Sequence, residues 1–156
     1  MIKLYTQFRL FRSLFLIYLI YFISLLVYSD DNLKNLKVPD GFEINILAKD
    51  INTPRQIAET KNGHIIIGSK KGSEVIALIR QDTTGTYKKV IVANGLENPA
   101  GVSFHKGNLY FAEMDTSWVV NKIDSWLESN SIKLPEKKVY MNNLPSETWH
   151  GLKYID

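Results

Sequence analysis

The chain of 156 residues has no cysteine. That excludes disulfide frameworks, thiolate zinc sites, iron–sulfur ligation and a thiol nucleophile. It does not fix a compartment, because a chain without thiols is at home in oxidising or reducing surroundings. The chain also has little excess charge outside its N-terminus. The formal net charge is +3, but residues 1–29 hold Lys3, Arg9 and Arg12 and no acid. From Asp30 onward 16 basic side chains (19 less 3) face 16 acidic ones. A neutral body offers no electrostatic footprint for a phosphate backbone, so a general nucleic-acid partner is excluded. Familiar catalytic spellings are missing as well: there is no Walker loop, GxGxxG, HExxH, GxSxG or EF-hand loop. The three histidines, His64, His105 and His150, are far apart in sequence and give no metal-ligand spacing. The length allows one domain of ordinary size.

What is present begins with an apolar run. Residues 14–28 read LFLIYLIYFISLLVY, interrupted only by Ser24. Three cations precede the run, and Asp30 and Asp31 follow it. This is the order of a secretory signal, with Val27 and Ser29 at the −3 and −1 positions for cleavage after Ser29. The alternative is an uncleaved anchor through residues 10–28, since a span needs about 17–25 apolar residues. The cations stay on the cytoplasmic side in either case. Residues 1–29 are therefore read as a signal peptide or membrane anchor. The rest of the protein is expected to be exported, either periplasmic or secreted, or held at the membrane by that helix.

Residues 30–37 read as a polar linker, and from Val38 the pattern is β. Val38-Pro39-Asp40-Gly41 is turn chemistry, and Phe42–Ile46 alternates apolar and polar as a half-buried strand does. Short apolar runs follow at His64–Ile67, Val75–Ile79, Val90–Ala93, Leu109–Ala112, Val119–Ile123 and Val139–Met141. Asn62-Gly63, Thr84-Gly85 and Lys106-Gly107 separate them. Only Asp124–Asn130 reads as a helix within this body, with Asp124 or Ser125 as its cap. Many close strands predict an antiparallel all-β fold.

The chain also lies on itself. Thr53-Pro54-Arg55-Gln56-Ile57-Ala58, then Asn62-Gly63, then Val75–Leu78 matches Asn98-Pro99-Ala100-Gly101-Val102-Ser103, then Lys106-Gly107, then Val119–Lys122. The offset is 45 at the proline and 44 at the turn glycine. A third start at Thr148–Ile155 aligns Gly151-Leu152 with Gly101-Val102 at an offset of 50. A period of about 40–50 residues carrying four strands is that of β-propeller blades. Two units and the opening of a third fall short of a closed ring. Residues 38–156 are accordingly expected to be the N-terminal part of a longer, truncated propeller.

Polar residues recur where the inner strands begin, the ends that line a propeller's central channel. Arg55 and Gln56 occupy that place in the first unit, Asn98 in the second, and His150 in the third, where adjacent Trp149 adds a flat apolar surface. A neutral imidazole at a channel mouth can accept a proton near neutral pH, with Glu147 near enough in sequence to orient it. A histidine packed in the junction between units is the equal alternative. His64 and His105 both flank turns and read as structural.

Five strings, in order, carry a family resemblance: Val38–Ile44, Pro54–Ala58, Gly95–Phe104, Asn108–Glu113, and Leu144-Pro145 through His150–Ile155. Together they resemble the N-terminal part of the glucose/sorbosone dehydrogenase family, the soluble pyrroloquinoline-quinone-dependent sugar dehydrogenases. The resemblance implies a six-bladed propeller that binds the quinone and Ca2+ over its central channel. It implies a sugar as substrate and a further electron acceptor as partner. His150 matches the family's general base, which takes the proton of the sugar's C1 hydroxyl as hydride passes to the quinone. Arg55, Gln56, Asn98 and Trp149 become cofactor-side candidates, while the family's calcium ligands lie in later blades. Ala100 and Trp149 depart from the polar residue and second histidine common in sorbosone-type members. Two other functions suit the same strands. A propeller hydrolase or lactonase would need a metal set, to which Glu113 and Asn98 could contribute, and a non-catalytic propeller would only bind a partner.

A partial ring leaves apolar faces and strand edges open to water. Residues 30–156 alone are expected to run on size-exclusion chromatography as associated species. A compact, cooperatively melting monomer would refute that expectation.

Overall fold

A computed structural model describes residues 33, 35–81, 85–147 and 151–156. The apolar run at 10–28 lies outside those residues, as do Trp149 and His150. Among the described residues no helix is long and apolar enough to cross a membrane. The chain divides into two units, Met1–Asn45 and Ile46–Asp156.

In the first unit the turn at Pro39–Phe42 forms as its residues dictate. The Phe42 N–H donates to the Pro39 carbonyl at 3.1 Å, and Gly41 takes the positive φ of 85°. The strand expected at Phe42–Ile46 does not form. Phe42, Ile44 and Ile46 are all exposed. Alternation prepares two faces but supplies no hydrogen-bonded neighbour, and without a ladder the segment stays irregular.

The second unit is all-β apart from one short helix. Eight strands run in order: β1 (Pro54–Glu59), β2 (Ile65–Ser69), β3 (Val75–Arg80), β4 (Tyr87–Ala93), β5 (Gly101–His105), β6 (Asn108–Ala112), β7 (Ser117–Val120) and β8 (Lys138–Met141), with helix α1 (Ile123–Glu128) between the last two. They make two four-stranded sheets, β1-β2-β3-β4 and β5-β6-β7-β8. Every neighbouring pair is antiparallel. Each sheet is thus a meander whose strands pair in sequence order.

The internal repeat extends to backbone conformation. Gly63 and Gly107 turn the first hairpin of each sheet at φ 78° and 82°. Thr53 and Asn98, each ahead of a proline, take left-handed φ values of 41° and 50°. The two sheets diverge after β7. The run read as a strand to Ile123 stops at Val120, and Ile123 instead opens α1. Its N-cap is Lys122 in the left-handed conformation, without a side-chain cap; neither Asp124 nor Ser125 has that role. Ile123 and Leu127, four residues apart on one helix face, are both buried, and that burial favours a helical turn over continuation of the strand. Asp124 in the first turn complements the helix dipole.

Alternation sorts the apolar residues into two cores. Ile66, Val75, Ala77 and Val92 of the first sheet pack with Val102, Leu109, Phe111 and Val120 of the second, together with Ile123 and Leu127. Ile67, Ile76 and Leu78 point the other way and are covered by Ala48, Ile51 and Tyr87. The two middle strands of the first sheet, β2 and β3, are therefore buried on both faces, as the unbroken run Val75–Leu78 requires. On the second sheet the face away from the shared core is more open, with Tyr110 and Tyr140 edge to face at 5.1 Å between ring centroids.

The join between the sheets is close. The Ser69 N–H donates to the Pro99 carbonyl at 2.8 Å, and the Leu96 N–H to the Ser73 carbonyl at 3.0 Å. A Cβ on Gly68 would lie 2.5 Å from the Ala100 carbonyl oxygen and 2.7 Å from that of Pro99. Both obstacles are backbone and cannot rotate aside. Gly68→Ala should cost about 1–3 kcal/mol, read as a lower urea midpoint; a midpoint within error of the parent would refute the close approach.

Candidate functional site

Pro54 opens β1, so the next two side chains, Arg55 and Gln56, stand at the start of an edge strand. Both reach the C-terminal segment. The Arg55 Nε–H donates to the Tyr154 hydroxyl at 2.5 Å, and the guanidinium carbon lies 5.6 Å from the centroid of the same ring. The Gln56 Nε2–H donates to the Ile155 carbonyl at 2.7 Å. Its Oε1 is buried and has no hydrogen-bond partner among the described residues.

Residues 151–156, expected to open a third inner strand, take no strand assignment. They nevertheless run against β5, where a Cβ on Gly101 would strike the Lys153 carbonyl. Gly151 is equally confined, by the Glu147 carbonyl and the Met114 side chain. The Lys153 ammonium donates to the carbonyls of Gly151 and Pro145, each at 2.6 Å. The opening segments of all three sequence repeats thus meet in one place.

Asn98 does not join this cluster through its described contacts. It sits in the turn before β5, where its carbonyl accepts the Ala100 N–H at 2.7 Å. Its left-handed φ is one that asparagine tolerates better than most residues, which gives it a structural reason to stand there. Glu147 is exposed. Trp149 and His150 lie outside the described residues, so the geometry of the expected base and its aromatic neighbour forms no part of the cluster described.

Glu113, a candidate metal ligand on the hydrolase reading, is committed elsewhere. One carboxylate oxygen accepts the Glu97 N–H at 2.5 Å, and the other accepts the Trp118 indole N–H at 2.6 Å. His64 is buried, and its Nδ1 accepts the Arg80 N–H at 3.1 Å. That acceptor role places the proton of the neutral ring on Nε2, which lies 3.9 Å from Glu128 Oε1. The same carboxylate oxygen accepts from Asn62 Nδ2, so this group ties the first hairpin to α1. His105 is exposed at the end of β5.

Two recesses lie away from the cluster. One, of about 680 Å³, includes Asp50, Glu74, Lys89 and Trp126 in its lining. A shallower one, of about 560 Å³, lies over His64 and Glu128. Among the described residues no group of three or more His, Asp or Glu side chains could hold a metal ion. No protein-family model matches the chain, and no curated protein matches it.

Tyr154 and Lys153 were missed as site residues. They lie within the third repeat, at the positions of Phe104 and Ser103 inside β5, and the strand-start rule passed over them. The partners of Glu113 left no trace in the sequence, since Glu97 and Trp118 meet it only through folding. Glu113→Ala strands both donors and should cost about 1–3 kcal/mol in urea melts, with a shift in tryptophan emission. Unchanged stability together with unchanged emission would show that the carboxylate does not hold them.

Proposed function

We propose that the chain forms the first blades of an exported β-propeller of the glucose/sorbosone dehydrogenase type, which oxidises a hydroxyl or aldehyde group of a sugar. The observation that carries this reading is the meeting of three strand-start segments, β1, β5 and 151–156, with polar groups of Arg55 and Gln56 at the meeting point. Two successive meanders packed face to face, with matching turns, support reading the sheets as blades. The apolar run behind three cations supports export, with residues 1–29 cleaved as a signal or kept as an anchor.

In this reading His150, one residue ahead of the confined Gly151, takes the proton of the sugar hydroxyl. An imidazole titrating near ~6.5 suits a base at neutral pH. Trp149 gives the substrate or cofactor a flat apolar wall. The quinone, when bound, supplies a two-electron acceptor. Arg55, with Gln56 and its unpartnered acceptor, fits the cofactor side, because a planar anionic ligand needs a cation and a polar rim. Asn98 shapes the turn that brings β5 beside them. The calcium ligands that the resemblance implies lie in later blades of the ring, and no step here runs through them. A metal-dependent hydrolase is disfavoured by Glu113, whose two oxygens already hold Glu97 and Trp118.

The 156-residue chain supplied with quinone and calcium is expected to reduce no dye with an aldose or sorbosone as donor. As the opening blades of a closed ring the same residues should support dye reduction. There His150→Ala should lower the rate about 100- to 10,000-fold without changing the melting temperature. Full turnover in that variant would refute the role of His150, and turnover by the chain alone would refute the need for a ring.

A further inference from the structure

We propose that the recess of about 680 Å³ between the first sheet and the segment after α1 binds a small primary amine with an apolar body. Its floor is apolar. Ile67, Ile76 and Ile91 line it, and they are cross-strand partners on one face of β2, β3 and β4. Trp126 and Leu134 add a wall. The Trp126 indole N–H is taken by the Lys133 carbonyl at 3.0 Å, so only its hydrocarbon ring is left for the recess. A cavity of this size and lining suits an aryl or short alkyl group.

The polar anchor is Ser69. Alternation puts it on the same face as Ile67; it is 6% exposed and lines the recess. Its hydroxyl makes no hydrogen bond among the described residues, yet it is not sealed from solvent as Gln56 Oε1 and His64 Nε2 are. Gly72, also in the lining, keeps it open, because a Cβ there would strike the Ser69 Oγ. A nearly buried hydroxyl without a partner is stabilised by any donor that reaches it.

Charge selects the donor. Asp50 and Glu74 bring two carboxylates to the same recess, and neither has an ion pair among the described residues. Lys89, the one cation in the described lining, already donates to the Asp50 carbonyl at 3.0 Å. Lys70 and Lys71 are exposed and do not line the recess. Their N–H groups fix the turn between β2 and β3 on Thr53, one on its carbonyl and one on its Oγ1, each at 2.9 Å. Ser69 and Glu74 flank that turn, and Asp50 lies three residues before Thr53. Hydroxyl and carboxylates therefore belong to one corner. An ammonium has three donors and no acceptor, so a single group satisfies them together, whereas an anion would face two acids.

This site stands apart from the strand starts and from the oxidation of a sugar, and its test needs no turnover. The full 156-residue chain, carried in phosphatidylcholine nanodiscs, is titrated calorimetrically at neutral pH with phenethylamine, phenethyl alcohol, phenylacetate and putrescine, with empty discs as the blank. Phenethylamine is expected to bind about tenfold or more tightly than the neutral alcohol or the anion, as one charge-assisted hydrogen bond allows. Putrescine, which has the ammonium but no aryl group to bury, should bind about tenfold more weakly. Glu74→Gln and Asp50→Asn keep the shapes and remove one charge each, and asparagine tolerates the left-handed φ of 56° at position 50. The two together should weaken phenethylamine about 10- to 100-fold. Ser69→Ala deletes a hydroxyl that holds nothing in the free protein, so it should weaken binding severalfold while leaving the melting temperature unchanged. Phenethylamine bound no better than by empty discs, equal affinity for amine, alcohol and anion, or putrescine bound as tightly as phenethylamine would each overturn the inference. So would affinity indifferent to the paired carboxylate substitutions, or a Ser69→Ala variant that melts lower or binds as the parent does.

Discussion

Gly68 has no room for a side chain because the carbonyls of Pro99 and Ala100 lie where its Cβ would be, and much of the fold depends on that approach. Backbone against backbone is the closest packing two sheets can make, and here it is locked by the hydrogen bond from Ser69 to Pro99. The segment linking the sheets is thereby laid along the end of β2. The left-handed turn at Asn98 and the proline after it then deliver β5 beside β1. Once that is set, Val102, Leu109 and Phe111 can reach only the face occupied by Ile66, Ala77 and Val92, and the shared core follows. A second close approach, Gly101 against Lys153, repeats the device one unit later and brings residues 151–156 to the same edge. The two glycines align neither in the repeat nor in their strands. What they share is a carbonyl where a Cβ would stand.

The strands were legible in the sequence because their burial is nearly one-dimensional. Val75–Leu78 is continuous because its strand is covered on both sides, and the runs around Leu109 and Val90 differ in pattern because their surroundings do. The turns were legible for a local reason: Gly63 and Gly107 need positive φ, and each stands where a hairpin must reverse. The repeat was readable from spacing alone, and its offset holds in the φ values of Thr53 and Asn98. What failed was whatever depended on a partner. Phe42–Ile46 alternates like a strand, yet nothing among the described residues pairs with it. Ile123 has the side chain of a strand residue, but its burial with Leu127 makes it the first residue of a helix.

The site was less legible for the same reason. Arg55 and Gln56 were found as polar residues at a strand start, a rule about position. Their actual partners, Tyr154 and the Ile155 carbonyl, are 99 residues away, and no local pattern carries that information. Asn98 was chosen by the same positional rule, and its backbone turn accounts for it without a ligand. Glu113 shows how residue type misleads when considered alone. A carboxylate at the end of a strand is a fair metal candidate, but two N–H donors claim both of its oxygens.

Because each repeat buries only part of its own faces, a site built at strand starts exists only where neighbours have stacked. Arg55 comes from the first repeat, while the hydroxyl that orients it and the carbonyl that pins Gln56 come from the third. Residues 151–156 reach them without the ladder of a strand, held instead by the confined Gly101 and Gly151 and by the lysine that clasps Gly151 and Pro145. The geometry of the polar groups therefore depends on a segment whose own backbone is weakly tied. Anything that bridges Arg55, Gln56 and that segment gains affinity from all three and, by linkage, stabilises the segment in return. A ligand at this edge would favour the stacked arrangement of the repeats as much as the arrangement favours the ligand.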